Sequence, residues 1–152
     1  MYTKILVALD GSPLAEKGLE SAMATAKQNP GSKLVLITIL EASALKDVSF
    51  SESIAFEQLQ LQLKQALEEV ARKYMDNLVA KYKSEGVDMQ VEIGCGVAAE
   101  EIVKYAENNQ IDLIVLTTRG RSGLKKFFLG SVAAKVISTS PVPVLVLPPD
   151  KR

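Results

Sequence analysis

Four short apolar runs, each nearly free of polar alternation, constrain the fold of this chain more than any other feature of its sequence. They span Lys4–Asp10, Lys33–Leu40, Asp112–Thr118 and Val142–Pro148. A run without polar alternation is typical of a strand that is buried on both faces, as in a parallel sheet. A fifth run, Val87–Ile93, alternates apolar and polar residues, which indicates an edge strand with one wetter face.

Helical patterns separate these runs. Ser12–Gln28 begins with a serine in the N-cap position followed by a proline, a combination that is typical of a helix start. Ala98–Asn109 carries acidic residues in its first turn, and Ser131–Thr139 ends just before a proline. Strands that alternate with helices predict a doubly wound α/β fold, with helices on both faces of a parallel sheet.

The usual doubly wound topology starts in the middle of the sheet and gives five strands the order 3-2-1-4-5. This order places Val87–Ile93 at one edge, in agreement with its alternating pattern, and Val142–Pro148 at the other. A length of 152 residues is close to the common size of one domain. We therefore expect residues 1–152 to form a single domain.

The longest helical pattern, Ser53–Ser84, has apolar residues at steps of three and four. They are Leu59, Leu63, Leu67, Val70, Tyr74, Leu78 and Tyr82. We expect this face to pack on the sheet, and the alternative is a coiled-coil partner. Residues 41–52 are weakly patterned, which predicts a loop or an irregular helix start.

Charge and cysteine content exclude several classes of protein. The chain has 18 basic and 18 acidic residues, and this balance argues against a general binder of nucleic acid or anionic membrane. No apolar run reaches the length of a transmembrane helix, and the first run is too short for a signal peptide. The single cysteine, Cys95, cannot form an intramolecular disulfide. We expect a cytoplasmic protein without nucleic acid or membrane as a partner.

Ligands of doubly wound sheets bind beyond the carboxyl ends of the strands, where the strand order reverses. The loops at this point are Leu9–Pro13 after the first strand and Thr117–Gly123 after the fourth. Gly120 allows backbone N–H groups to point at an anion, and a helix that begins at Gly130–Ser131 attracts phosphate. Two interpretations stay open, a phosphate cradle or a solvated loop in which Ser131 only caps the helix.

Asp10 lies at the same point of reversal, at the end of a buried run. A carboxylate there is costly unless it is paired or bound to a metal ion. Its side chain either caps the turn that follows or contacts a ligand, and its position favours the ligand.

The chain resembles the nucleotide-binding branch of the universal stress protein family over essentially its whole length. The resemblance rests on "ILVALDGSPLAEKGLESA", "GCGVAAEEIVKYAEN", "DLIVLTTRG" and "LGSVAAKVISTSPVPVLVLP". The family has the ATP-binding pattern G-x2-G-x9-G-[ST], whose last three fixed positions fit Gly120, Gly130 and Ser131. Thr117 stands where the family has its first glycine.

This resemblance implies a fold like that of the adenine nucleotide alpha hydrolases and a site for ATP, or for AMP or ADP, with Mg²⁺. It implies that Ala8 and Ile39 line the adenine, and that Thr117 lies by the ribose. Asp10 would lie by the ribose or by a Mg²⁺ ion bound to the phosphates. The phosphates would be held by Gly120, Gly130, Ser131 and Val132, through backbone N–H groups and one hydroxyl. Family members also form homodimers through the last strand, here Val142–Leu147.

Three functions are consistent with these residues. The first is a cytoplasmic homodimer that binds ATP and acts as a nucleotide-dependent module in the stress response. The second is a dimeric scaffold for protein partners that has lost ATP binding, for which Thr117 is the main support. The third is a slow ATPase that depends on Asp10. Because the chain has no histidine, the usual general acid–base residue, we expect weak hydrolysis at most.

Overall fold

The computed structural model describes residues 1–41, 54–118 and 129–148. Its strands are β1 (Lys4–Ala8), β2 (Lys33–Glu41), β3 (Asp88–Gly96), β4 (Leu113–Thr117) and β5 (Val144–Leu147). They form one sheet in the order β3-β2-β1-β4-β5, and every neighbouring pair is parallel. The predicted α/β fold and the strand order 3-2-1-4-5 are confirmed.

The helices in these residues cover both faces of the sheet, as predicted. They are α1 (Pro13–Lys27), α2 (Ile54–Tyr82), α3 (Ala98–Asn108) and α4 (Ser131–Thr139). One core cluster packs α1 and α2 against one face, and a second cluster packs α3 and α4 against the other. We call these the α1 face and the α4 face of the sheet.

Strand β1 explains why its sequence lacks polar alternation. Successive side chains of a strand point to opposite faces of the sheet. Ile5 and Val7 are buried on the α1 face, whereas Leu6 is buried on the α4 face. Both faces are covered, so neither set of positions tolerates polar residues.

Helix α1 begins as the sequence predicted. Ser12 is the N-cap residue, and its hydroxyl oxygen accepts a hydrogen bond from the Ala15 N–H at 3.2 Å. Pro13 is the first helical residue, where its missing N–H has no consequence. This start fixes the path of the short loop that leaves β1.

Helix α2 contacts the core only through its C-terminal half. Met75 and Leu78 are buried, whereas Leu59, Leu63 and Val70 are exposed. The expectation that the whole apolar face packs on the sheet is therefore wrong for the N-terminal half.

The difference in length between α2 and α1 accounts for this exposure. With 29 and 15 residues the two helices are roughly 43 Å and 22 Å long. The Tyr74 hydroxyl donates to Glu16 Oε1 at 3.2 Å, in the first turn of α1. Farther along, the Tyr82 hydroxyl donates to Glu20 at 3.3 Å. The residues of α2 that precede Tyr74 thus extend past the start of α1.

The amino ends of β1 and β4 are joined by one carboxylate. Asp112 Oδ2 accepts hydrogen bonds from the Thr3 N–H at 2.8 Å, the Thr3 hydroxyl at 2.6 Å and the Lys4 N–H at 2.9 Å. The Thr3 hydroxyl contributes most to holding the pKa of Asp112 below its usual value. The sheet is therefore tied together at the end opposite the carboxyl ends of its strands.

Two further predictions concern Cys95 and the loop after β2. Cys95, which was expected after the third strand, lies within β3 and pairs with Leu40 of β2. The loop predicted for residues 41–52 falls, apart from Glu41 at the end of β2, outside the described residues. Among the helices that are described, none has the length and apolar character to cross a membrane.

Candidate functional site

The strand order reverses at β1, which pairs with β2 on one side and with β4 on the other. The Leu9 N–H still donates to the Ile37 carbonyl at 2.8 Å, so the chain leaves the sheet immediately beyond this residue. In open α/β sheets, such a reversal opens a crevice beyond the carboxyl ends of the strands. The sequence predicts its site residues around this crevice.

Three of these residues lie on the α4 face of the sheet. Ala8 from β1, Ile39 from β2 and Val132 from α4 are partly buried, and all pack against the same core cluster. We call these three residues the apolar wall. Such a wall suits the flat, weakly polar face of an aromatic ring.

Gly130 is required where α4 begins. Its N–H donates to the Thr118 carbonyl at 2.7 Å, and a Cβ atom at this position would lie 2.5 Å from the same oxygen. Only glycine therefore lets the start of α4 approach the end of β4 so closely. Because the Gly130 N–H is already bonded to Thr118, the role of Gly130 is to position the helix. An anion would instead contact the N–H groups of the next residues, Ser131 and Val132.

The first turn of α4 presents the groups that attract an anion. The N–H groups of Ser131 and Val132 have no intrahelical acceptor, because the first turn of a helix lacks one. The positive end of the helix dipole lies at the same place.

Ser131 is exposed and is itself the first residue of α4. The N-cap position belongs to Gly130, which has no side chain with which to cap the helix. The interpretation that Ser131 only caps the helix is therefore wrong, because its hydroxyl is one position too late. That hydroxyl makes no hydrogen bond to any described residue.

Asp10 organises the turn after β1. Its Oδ1 atom accepts a hydrogen bond from the Ser12 N–H at 2.9 Å, so the predicted capping of this turn is confirmed. The bond holds a half-buried carboxylate at the point where the strand order reverses. A contact between Asp10 and a ligand stays a prediction.

Tyr74 of α2, whose hydroxyl donates to Glu16 at the start of α1, was not predicted. Burial, then the neighbouring Glu16 carboxylate and, to a smaller extent, Asp10 raise the pKa of the Tyr74 hydroxyl. The helical periodicity had assigned Tyr74 to the core face alone. No local pattern could show that its hydroxyl reaches the acidic end of α1.

Thr117 points away from the apolar wall. A Cβ atom built on Gly18 of α1 would lie 3.5 Å from Thr117 Cγ2 and 3.8 Å from Leu147 Cδ1. The Thr117 methyl group thus packs on the α1 face, whereas the apolar wall is on the α4 face. The side chain that replaces the family glycine does not stand among Ala8, Ile39 and Val132.

Thr118 is a second residue that the sequence did not single out. Its Oγ1 atom is buried and has no hydrogen-bond partner among the described residues. A buried polar atom without a partner costs about 1–3 kcal/mol. This cost falls at the junction of β4 and α4, where Thr118 also receives the Gly130 N–H.

A small polar cavity of about 160 Å³ adjoins Ile39, between β2, β3 and α3. Gly94 makes room for the Ile39 side chain, because a Cβ atom there would lie 2.7 Å from Ile39 Cδ1. Glu92 and Tyr105 line the cavity. Burial, and after it Glu92, raises the pKa of the Tyr105 hydroxyl.

Among the described residues, no group of three or more His, Cys, Asp or Glu side chains could hold a metal ion. Mg²⁺ in nucleotide sites usually takes one or two carboxylates, with phosphate oxygens and water as its other ligands. Asp10 fits this pattern, as one ligand of a metal ion that arrives with phosphates. Gly120, the remaining predicted phosphate ligand, lies outside the described residues.

Comparisons with known proteins agree on one family. A sequence model of the universal stress protein family matches residues 1–148. The universal stress protein YxiE of Bacillus subtilis is 32% identical over 151 residues, which cover 97% of this chain and 99% of YxiE. The universal stress protein MJ0577 of Methanocaldococcus jannaschii is 33% identical over 155 residues, which cover 97% of this chain and 95% of MJ0577.

Solved structures are similar over the full length. The structure of MJ0577 has a TM-score of 0.88 at 32% identity and covers 100% of this chain and 99% of its own. A universal stress protein in complex with cAMP and one from Archaeoglobus fulgidus in complex with dAMP both have TM-scores of 0.64, at 22% and 21% identity. They cover 96% and 95% of this chain, and 96% and 97% of their own. The chain belongs to the universal stress protein family.

Proposed function

We propose that this universal stress protein binds an adenine nucleotide, ATP with Mg²⁺, and acts as a cytoplasmic, homodimeric module of the stress response. Residues 1–152 would form its single domain. The proposal is carried by three groups that the fold places near the carboxyl ends of β1, β2 and β4. These groups are the apolar wall, the N–H groups at the start of α4 that have no intrahelical acceptor, and the Asp10 carboxylate. The cAMP and dAMP complexes of proteins with this fold support the choice of an adenine ligand.

The arrangement assigns a part of the nucleotide to each group. The adenine would lie on Ala8 and Ile39, and the phosphates would meet the N–H groups of Ser131 and Val132. The Ser131 hydroxyl and Gly120 would add to the phosphate contacts. A bound Mg²⁺ ion would neutralise phosphate charge. Asp10, already held by the Ser12 N–H, would offer it one carboxylate oxygen.

The homodimer is supported by the outer edge of β5. The Ile114 and Thr118 N–H groups both donate at 3.0 Å to carbonyls of this segment, those of Pro143 and Leu147. Because alternate residues of a strand bond to the same side, Val144 and Val146 direct their backbone groups to the other side. That edge has no strand beyond it in the described sheet. Two copies paired along β5 would satisfy these groups in both chains.

Isothermal titration of the native chain with ATP, ADP and AMP, each with and without Mg²⁺, tests the nucleotide proposal. We expect saturable heat, and roughly tenfold weaker binding for Ser131→Ala, because a hydrogen bond to a charged group is lost. Ser138→Ala is the matched control, since Ser138 is an exposed serine near the other end of α4. Absence of heat at millimolar nucleotide would overturn the proposal.

One observation favours a second function, a dimeric scaffold that binds no nucleotide. Thr117 replaces the first glycine of the family pattern, although its methyl group packs on the α1 face. Titration of Thr117→Gly with ATP separates the two functions. If this variant binds ATP and the native chain does not, the scaffold is the better assignment. Equal affinities would show that Thr117 is compatible with the nucleotide.

A further inference from the structure

Gly94 lies within β3 at a position where the backbone does not require a glycine. Its φ angle is outside the left-handed region, unlike that of Gly96 at the end of the same strand. A glycine inside a strand gives up the packing of a side chain, and it often marks a place where another group approaches closely. The reason for Gly94 is therefore to be found in the space beside it.

The group that occupies this space is the Ile39 side chain of β2. Ile39 and Gly94 are paired in the parallel register of β2 and β3, so side chains at both positions point to the same face of the sheet. A Cβ atom at Gly94 would lie 2.7 Å from Ile39 Cδ1, well inside the roughly 3.5–4.0 Å at which carbon atoms pack. The Ile39 side chain thus leans across the sheet and covers Gly94.

This lean takes the end of the Ile39 side chain away from β1. Strand β2 lies between β1 and β3 in the sheet, and Ala8, another residue of the apolar wall, belongs to β1. In the proposed function the adenine lies on Ala8 and Ile39. With its terminal methyl group over Gly94, Ile39 leaves the space above the end of β1 to the base.

A side chain at position 94 would displace the Ile39 methyl group. One way out leads into the polar cavity that Glu92 and Tyr105 line. There the methyl group would take water away from the Glu92 carboxylate, which is unfavourable. Movement along the sheet away from β3 leads instead towards Ala8, into the place of the adenine.

We propose that Gly94 is a positioning residue of the nucleotide site, which acts through Ile39 to keep the place of the adenine clear. This inference rests on the proposed function and adds to it a residue that determines how well the base fits. The phosphate contacts should not depend on Gly94, because the Ser131 and Val132 N–H groups belong to α4, whose start is set by Gly130.

Titration of Gly94→Ala with two ligands separates the base from the phosphates. ATP should bind roughly tenfold more weakly than to the native chain, since the displaced methyl group overpacks the adenine. Inorganic tripolyphosphate, which has no base, should bind both proteins equally. Equal losses for the two ligands would show a general disturbance of the fold and would contradict the inference.

The route through Ile39 is tested by a double-mutant cycle. Ile39→Val removes Cδ1, the atom that a side chain at position 94 would strike. Gly94→Ala should therefore weaken ATP binding in the native chain and have little effect in the Ile39→Val chain. Losses of equal size in the two chains would show that Gly94 does not act through Ile39.

Cys95→Val is the matched control, because it enlarges the next side chain of the same strand. Side chains of a strand alternate between the two faces, so Cys95 points with Val91 to the α1 face. This variant should bind ATP as the native chain does, and a loss equal to that of Gly94→Ala would overturn the inference. Urea denaturation of each variant shows whether it is folded.

The outcomes distinguish this inference from the proposed function. A native chain that binds no nucleotide would overturn the proposed function, and the role of Gly94 with it. A native chain and a Gly94→Ala variant that bind ATP equally would overturn the role of Gly94 alone.

Discussion

Gly130 is the residue on which the junction between β4 and α4 depends. A Cβ atom at this position would stand 2.5 Å from the Thr118 carbonyl oxygen, a backbone atom that cannot move without β4. Gly130→Ala should therefore lower the free energy of unfolding by about 1–3 kcal/mol, as overpacked substitutions do. It should also weaken nucleotide binding, because the start of α4 is displaced. Urea denaturation and titration with ATP measure the two effects, and unchanged stability would contradict the steric argument.

Tyr74 makes the stability of the chain sensitive to alkaline pH. Burial and the Glu16 carboxylate raise the pKa of its hydroxyl, whereas a tyrosine in the unfolded chain titrates near 10. The folded state thus holds the proton more tightly. The stabilisation is complete below about pH 10 and is lost as the pH rises above it.

Tyr74→Phe removes the ionisable group and tests this relation. The variant should lose less free energy of unfolding than the native chain between about pH 9 and pH 11. Urea denaturation at the two pH values gives the loss of unfolding free energy for the native chain and for Tyr74→Phe. Equal losses in the two proteins would show that Tyr74 does not contribute to the alkaline response.

Individual site residues were predictable from the sequence only where their position in a pattern implied their role. Asp10 and Gly130 stand at strand and helix ends, where turn chemistry and the family spacing point to them. Tyr74 and Thr118 were missed because their importance depends on partners. The Tyr74 hydroxyl bonds to Glu16, which is distant in sequence, and the Thr118 hydroxyl has no partner in the part of the chain that the structure describes. Neither feature can be predicted from the residues that flank Tyr74 or Thr118 in the sequence.

Helix α1 contains a glycine that its structure does not require. Gly18 is buried in the middle of the helix, and a Cβ atom there would meet its nearest neighbours at 3.5, 3.8 and 4.0 Å. These are ordinary van der Waals distances. Gly18→Ala should therefore raise the free energy of unfolding by about 0.5–1 kcal/mol, because alanine favours the helix.

Thermal or urea denaturation measures the effect of Gly18→Ala. The change in the free energy of unfolding should be opposite in sign to that of Gly130→Ala, so each variant serves as a control for the other. A loss of stability at Gly18 would mean that the added methyl group disturbs the Thr117 side chain on the facing strand.

At the scale of elements, periodicity predicted which segments are helices and strands, but not how far each one packs. The pattern of α2 is continuous from Leu59 to Tyr82, although only its C-terminal part meets the core. The reason is that packing depends on the length of α1 and of the sheet, which the α2 segment does not encode. The apolar residues left over, Leu59, Leu63 and Val70, are exposed.

At the scale of the whole molecule, the strand order was predictable because few topologies satisfy the rules for parallel sheets. The alternating pattern of β3 identified one edge, and the proline-flanked last run identified the other. The behaviour of these edges towards other chains does not follow from the order alone. Pairing of an edge with another chain depends on the surfaces that come into contact when the two chains associate.

The proposed dimer along β5 gives a prediction at this scale. Val146→Pro should shift the native assembly to a smaller species, because proline cannot donate the outward N–H. Val146→Thr, which keeps that N–H and suits a strand, is the control and should leave the assembly unchanged. Native mass spectrometry distinguishes the species. An unchanged mass for the proline variant would remove β5 as an interface.

Asp112 has a consequence for how a protein of this kind diversifies. Its three hydrogen bonds hold β1 and β4 together at the end of the sheet away from the crevice. Substitutions at the crevice therefore leave that anchor intact, and their cost to folding stays local. A lineage that carries such an anchor can exchange its ligand, or abandon ligands altogether, and still inherit the same scaffold.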